Sequence, residues 1–271
     1  MIDLDRYRIA PGTSPSLADR PTDDTQGVSK DAAKDQTDAN QDRADALQER
    51  LYAEGEQSVL FVLQAMDAAG KDSTIRSVFG PLNPQGVRVT SFKAPSKLEL
   101  AHDFLWRVHH KAPQKGHIRV FNRSHYEDVL IVKVHGWASP ETIAARYEHI
   151  RAFERLLADA GTRVVKVMLH ISKDYQLARF RRRLERPDKH WKFNPEDLTE
   201  RGHWDDYQQV FEAALRETST DAAPWYVIPA ETRWFRDLAV SQLLVDTLET
   251  MDPQYPPPAF DPAEYPPDSL A

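Results

Sequence analysis

Ser58-Val59-Leu60-Phe61-Val62-Leu63-Gln64, running directly into Ala65-Met66-Asp67-Ala68-Ala69-Gly70-Lys71-Asp72-Ser73-Thr74, decides how this 271-residue chain folds. The first seven residues are short and continuously apolar, the pattern of a strand buried on both faces. A glycine-containing turn and a helical segment follow. The same sequence of events recurs along the chain: strands are expected at Gly86 to Phe92, His117 to Phe121, Thr162 to Ile171 and Trp225 to Ile228. Between them lie helical patterns. Leu98, Ala101, Leu105 and Val108 recur at helical intervals over Lys97 to Lys111, with Pro113 closing the segment. Ser139-Pro140-Glu141 is a strong helix start, with a capping hydroxyl, proline at the first helical position and an acid in the first turn. That helix is expected to run to Gly161, and a last one carries Trp234, Leu238, Leu244 and Leu248 on one stripe. Strands alternating with helices imply an α/β fold, a five-stranded parallel sheet flanked by helices.

The ends differ from the middle. Residues 11–45 are polar, with almost no large apolar side chains, and read as an arm or exposed helix; Ala44, Leu47 and Leu51 then lead into the core as a short amphipathic helix. Pro253, Pro256, Pro257, Pro258, Pro262, Pro266 and Pro267 make an extended C-terminal tail. The expected organisation is a polar arm over 1–45, a folded domain over 46–252 and a proline-rich tail over 253–271.

Composition excludes several classes of function. A hydrophobic fraction of 41% with 28% charged residues suits a globular chain, and no apolar run approaches a membrane span. The start of the chain lacks the pattern of a secretory signal and there is no cysteine, so thiolate chemistry is excluded and a cytoplasmic address is expected. A net charge of −7 argues against nucleic acid as a partner, and any polyanion site must be a local basic patch.

The turn after the first strand carries the chemistry. Backbone N–H groups of Ala68, Ala69, Gly70, Lys71, Asp72, Ser73 and Thr74, at the positive end of a helix, are placed to cradle phosphate oxygens, and Lys71 to reach a bridging or terminal oxygen. Ala65 stands where such loops begin with Gly, and Asp72 where a Ser or Thr usually holds Mg²⁺. The plain alternative is an ordinary βα turn with a solvated lysine. Asp67 beside a phosphate site is unfavourable unless a cation lies between, and Mg²⁺ supplies one; otherwise Asp67 is a turn residue bonding loop amides.

The third strand ends in Phe121-Asn122-Arg123-Ser124-His125-Tyr126-Glu127-Asp128, at the edge of the sheet where open α/β folds bind ligands. Phosphate enzymes usually hold metal here with an Asp; this chain has Asn122, so Asp67, with Glu127, must supply the charge. Arg123 either faces the phosphates or forms a surface pair with Glu127. Arg179, Arg181, Arg182, Arg183, Arg186, Lys189 and Lys192, opposed only by Glu185 and Asp188, form a steep local field. Such a run is either a solvated helix face or, beside a phosphate loop, a lid closing over a phosphate chain. Trp191 and Trp204 either pack this segment or stack on a base, with core packing favoured for each. No histidine pair has metal-ligand spacing; His109, His110 and His125 read as surface or capping residues, and His170 as part of the fourth strand.

Gln64 to Asp72, Phe121 to Asp128, Arg179 to Leu198 and Trp225 to Ala230, in this order and spacing, resemble the polyphosphate kinase 2 family over about Tyr7 to Pro256. The resemblance implies a P-loop (Walker A) kinase fold with a helical lid at about 179–205. It implies Mg²⁺-dependent, reversible phosphoryl transfer from inorganic polyphosphate to AMP or ADP, with Mn²⁺ as an alternative ion. Asp67, Lys71, Arg123 and Arg183 resemble the family's catalytic positions, and Arg179, Lys189 and Lys192 its polyphosphate-binding lid. Asp67, Asn122 and Glu127 are the expected metal donors. Asn122 followed by Ser-His-Tyr-Glu resembles the class III branch, which accepts AMP as well as ADP. The expected partners are inorganic polyphosphate, adenine nucleotides and further copies of the chain, as a dimer or tetramer. An ATP-dependent nucleoside monophosphate kinase is the leading alternative, since it shares the fold and loop. A GTP-hydrolysing switch would carry an Asn-Lys-x-Asp base-reading motif, which is absent. A nonenzymatic polyanion-binding module has no use for Asp67 and Lys71 in the loop.

Overall fold

The computed structural model describes residues 2–266; Pro267 and the rest of the expected tail lie outside the described residues. Six strands, β1 (Arg8–Ile9), β2 (Ser58–Ala65), β3 (Val87–Ser91), β4 (Ile118–Asn122), β5 (Thr162–His170) and β6 (Trp225–Pro229), form one sheet in the order β1-β6-β5-β2-β4-β3. The five expected strands are all parallel. The addition is β1, which pairs antiparallel with β6 (Arg8 opposite Tyr226, Ile9 opposite Trp225). Two residues are too few to show strand alternation in a sequence. β2 lies between β5 and β4, and Val59 through Leu63 are fully buried, as a central parallel strand requires.

The helices are α1 (Lys30–Glu54), α2 (Lys71–Thr74), α3 (Lys97–Leu100), α4 (Trp106–His109), α5 (Ile131–Val134), α6 (Pro140–Asp159), α7 (Lys173–Leu184), α8 (Glu196–Gly202), α9 (Trp204–Thr218) and α10 (Arg233–Met251). α1 packs along α10, and α6 packs on β5 and α9. The expected start of α6 holds: the Ser139 hydroxyl accepts from the Thr142 amide, with Pro140 in the first turn.

Two expectations are corrected. The short helix at Ala44 to Leu51 is the end of a 25-residue helix, so a boundary at 45 falls inside α1. Its buried stripe continues backward through Asn40, Thr37 and Ala33, small or polar residues that hydropathy does not register. They serve here because the two helices approach closely and Asn40 donates to the Ser241 hydroxyl of α10 at 3.1 Å. Leu4, Tyr7, Ile9 and Leu17 of the N-terminal stretch are buried as well. The helix expected over Lys97 to Lys111 is two single turns, α3 and α4. Leu98 is 63% exposed while Val108 is fully buried, so only the second half of the apolar periodicity meets core, and the Asp103 carboxylate interrupts the pattern by accepting from the Leu105 amide at 2.9 Å.

Candidate active site

β2 delivers its carboxyl end into the loop 65–70, and α2 begins at Lys71. Two loop residues adopt positive φ: Ala68 at 67° and Gly70 at 108°. Gly70 is required by space as well as by φ, because a Cβ there would lie 2.2 Å from the Arg236 guanidinium of α10. That guanidinium is 2% exposed, held by Asp237 at 2.7 Å, and faces the Ala69 carbonyl at 3.5 Å. Lys71 Nζ donates back to the Ala65 carbonyl at 3.0 Å, which bends its ammonium over the loop.

Arg123, immediately beyond β4, has φ of 60°, a strained value for a residue with a side chain. The turn aims its guanidinium at Asp67, with Nη2 to Oδ1 at 2.7 Å. Its partner is therefore the loop carboxylate, and the alternative of a surface pair with Glu127 is set aside. Burial drives the Asp67 carboxyl upward, but the charges of Lys71 and Arg123 outweigh it and hold Asp67 below the ordinary carboxylate range. Lys71 is pushed down from the usual lysine value by burial and by the neighbouring Arg123 charge. Glu127 goes the other way: burial raises it, against the pull of Arg123 and Lys71. With the Gln64 amide turned so that its oxygen accepts from Ser124, its nitrogen donates to Glu127 Oε1 at 3.0 Å.

Asn122 and Asp72 meet across the loop, the amide donating to Asp72 Oδ1 at 2.8 Å. Asp67, Asp72 and Asn122 line one cavity, whereas Glu127 lines the next. Among the described residues no three His, Asp or Glu side chains converge as a closed metal cage. Of the expected donors, Asn122 therefore lines the first cavity, Glu127 the second and Asp67 both, and Asp72 takes a place beside Asn122.

The first cavity, about 570 Å³, has ten Lys or Arg side chains in its wall and two carboxylates, Asp67 and Asp72. Lys71, Arg123, Arg179, Arg183, Lys189 and Lys192 are all there, as sequence reasoning expected. So are Lys93, just after β3, and Arg233, the first residue of α10, which it missed. Both follow the carboxyl end of a parallel strand, the position already used for Arg123, so the same rule applied to every strand finds them. Arg236 gave no signal, being an arginine inside an apolar helix pattern.

The basic tract is not uniform. Arg183 is neutralised by Asp197 at 3.1 Å and also donates to the Lys192 carbonyl at 3.2 Å. Arg186 and Lys189 share Asp188, at 3.1 and 2.8 Å. Arg179 is pushed below the usual arginine value by burial and by Arg233, Arg182 and Arg183 around it. Trp191, 78% exposed, lines the cavity with Lys192 over its ring, so the core role favoured for it is corrected; Trp204 is buried at 7% exposure, as expected. His125, expected as a surface or capping residue, is fully buried, its ring packing on Phe153 and Tyr126.

The second cavity, about 790 Å³, adjoins the first at Asp67, Arg123, Phe92 and Lys93. Its walls are mixed: Trp137, Tyr207, Leu100 and Ile131 supply apolar surface, Arg107 and Arg146 charge, and Asn194 with Glu196 and Glu200 polar groups. The Tyr207 hydroxyl donates to Glu200 Oε2 at 2.7 Å. Among the described residues no helix is long and apolar enough to cross a membrane.

A cavity walled by ten cations meets a second cavity of mixed lining at Asp67 and Arg123, and the chain is similar to the following proteins. The family described as Polyphosphate kinase 2 (PPK2) matches residues 27–256. An AMP/ADP-polyphosphate phosphotransferase from Meiothermus ruber is 52% identical over 257 residues, spanning 94% of this chain and 96% of that one. An ADP-polyphosphate phosphotransferase from Rhodopseudomonas palustris is 46% identical, over 76% of this chain and 75% of its own. The crystal structure of polyphosphate kinase 2 from Arthrobacter aurescens superposes with a TM-score of 0.92 at 45% identity, covering 96% of this chain and 93% of that one. From the loop, the strand ends and these likenesses together, the chain belongs to the polyphosphate kinase 2 family.

Proposed function

We propose that this protein transfers the terminal phosphoryl group of inorganic polyphosphate to AMP and ADP, reversibly and with Mg²⁺. The observation that carries the reading is the meeting of two unlike cavities at Asp67 and Arg123. Ten cationic side chains suit a long phosphate chain, and the mixed cavity with its aromatic surface suits a nucleotide. A nucleoside monophosphate kinase using ATP presents only three phosphates to a wall that offers far more charge. The names of the relatives, one acting on AMP and ADP and one on ADP, support adenine nucleotides as acceptors.

An acceptor phosphate is already largely ionised at neutral pH, so no general base has to create the nucleophile. Catalysis is then positioning and charge neutralisation. Lys71 and the loop amides hold the phosphoryl group being moved, and Arg123 spans donor and acceptor. Arg179, Arg183, Lys189 and Lys192, on a segment from α7 to α8 that acts as a lid, draw in the chain behind it and keep water out. Asp67 with Asp72 and the Asn122 amide fits a divalent ion that takes few protein oxygens and completes its shell with phosphate and water. Once bound, that ion neutralises charge on donor and acceptor oxygens. Mn²⁺ is accommodated by the same oxygens. Glu127, in the acceptor cavity, faces the incoming nucleotide. We place the protein in the cytoplasm as a homo-oligomer, dimer or tetramer, with β3 as the open sheet edge and Val89 47% exposed on it; light scattering measures the mass.

The test is phosphorus NMR of the protein with Mg²⁺ and AMP, given either polyphosphate or ATP. ADP formed as the internal-phosphate signal of polyphosphate falls, with its end-group signal retained, supports the reading. Product from ATP alone overturns it in favour of a monophosphate kinase.

A further inference from the structure

Behind the carboxyl end of β4 lies a group of charged and polar side chains that touches neither cavity. Lys166, in the middle of β5, is fully buried, and its ammonium donates to Glu154 Oε2 of α6 at 2.6 Å, to the Tyr126 hydroxyl at 3.0 Å and to the Thr218 carbonyl of α9 at 2.7 Å. The Tyr126 hydroxyl also lies 2.7 Å from Glu154 Oε1 and 2.9 Å from Thr218 Oγ1. Three elements, α6, β5 and α9, therefore converge on one phenol oxygen.

Stability does not account for this arrangement. Desolvating a buried pair costs about as much as its attraction returns, and well-packed apolar replacements are often neutral or stabilising. What the group does hold is position. Tyr126 lies three residues after Arg123 and directly before Glu127. Ser124, His125 and Tyr126 are fully buried, with the Ser124 hydroxyl accepting from the Tyr126 amide at 3.2 Å. Arg123 keeps a φ of 60°, and a strained backbone of that kind persists only where its surroundings over-determine it.

We infer that Tyr126, Glu154 and Lys166 act as a positioning unit that fixes the turn at 123–127, and through it sets the Arg123 guanidinium against Asp67 and the Glu127 carboxylate in the acceptor cavity. The inference rests on the roles proposed above for Arg123 and Glu127. The unit touches no substrate. It acts on the transition state through geometry, since small displacements of a group aimed at the reacting centre cost far more rate than binding.

The test begins with Tyr126→Phe, which removes one oxygen and keeps the ring. Turnover per folded protein is expected to fall about tenfold or more, with the KM values for polyphosphate and nucleotide within about twofold of the parent, because the binding cations are untouched. Lys166→Met combined with Glu154→Leu should keep or raise the melting temperature while losing turnover to a similar degree. Leu51→Ala, equally buried but near the opposite end of the strands beside Gly116, serves as a stability control that lowers melting and spares turnover. In an Arg123→Lys background, Tyr126→Phe should add little further loss, because the unit works through the group already impaired. Tyr126→Phe with parent turnover and lowered melting overturns the inference, and so do fully multiplicative losses in the double variant. Arg123→Lys with parent turnover instead overturns the role assigned to Arg123, and the two failures are thereby distinguished.

Discussion

Replacing Gly70 with alanine should disable the phosphate loop by a route that can be worked from distances. The position has φ of 108°, where a side chain is strained by about 1–2 kcal/mol. The added Cβ would stand 2.2 Å from Arg236 Nη1 and 3.1 Å from the Ser73 hydroxyl. The guanidinium is poorly placed to yield. It is 2% exposed and bonded to Asp237 through Nε at 2.9 Å and Nη2 at 2.7 Å. Losing a charge-assisted bond of this kind costs about 1.5–3 kcal/mol. If the arginine moves, the total is about 2.5–5 kcal/mol, which lowers the melting temperature by roughly 5–20 °C for a chain of this size. If the loop moves instead, stability is spared and turnover falls by about 10²-fold, because the amides no longer meet the phosphate. Thermal melting and initial rates with polyphosphate and ADP separate the two routes. Arg236→Ala removes the obstruction, so the Gly70→Ala and Arg236→Ala pair should lose less than the sum of the single losses. Gly70→Ala melting within about 2 °C of the parent and turning over at more than half its rate would refute this account of the loop.

Lys71→Ala should leave melting unchanged and cut turnover by about 10²- to 10³-fold, the usual cost of one preorganised donor; rate and melting curves on the same sample decide it. Asp67→Asn should raise the Mg²⁺ concentration for half-maximal rate more than the KM for nucleotide, with partial recovery at high Mg²⁺, and an unchanged half-saturation would place Asp67 in the loop's own structure. Asn122→Asp sets a second carboxylate against Asp72, whose Oδ1 now accepts from the amide at 2.8 Å. Mg²⁺ should then bind more tightly and the ratio of kcat/KM for AMP to that for ADP should fall; an unaltered ratio retires Asn122 as an acceptor determinant. Lys192→Gln should raise the KM for long polyphosphate more than that for nucleotide and flatten its salt dependence, since screening shortens from about 10 Å at 0.1 M salt to about 3 Å at 1 M. Arg183→Gln should do less at first contact, because Asp197 already offsets that charge.

The alternation that gives a parallel sheet and the loop that gives the site were both legible, because each is a local pattern. A strand buried on two faces must be continuously apolar, and Val59 to Leu63 are. A phosphate loop must join such a strand to a helix start, and Ala65 to Thr74 do. The cluster of cations was legible as charge, though not as a cavity wall. Legibility failed where a residue's environment comes from elsewhere in the chain. Ala33, Thr37 and Asn40 look like solvent-facing helix until α10 lies along them. Leu98 looks like core, yet it is 63% exposed.

The amino-acid sequence by itself determined the class of fold, the position of the phosphate loop on it and the residue types gathered at the strand ends, since these follow from periodicity and from the chemistry of single side chains. Tertiary structure alone decided the pairings. Asp67 faces Arg123, Asn122 faces Asp72, and Glu127 turns to Gln64 in the neighbouring cavity. It also brought Lys93 and Arg233 to the cationic cavity wall and set Arg236 beneath Gly70. Such contacts join residues separated by tens to more than a hundred positions, and only the assembled sheet, with the strand order β6-β5-β2-β4-β3, sets their distances.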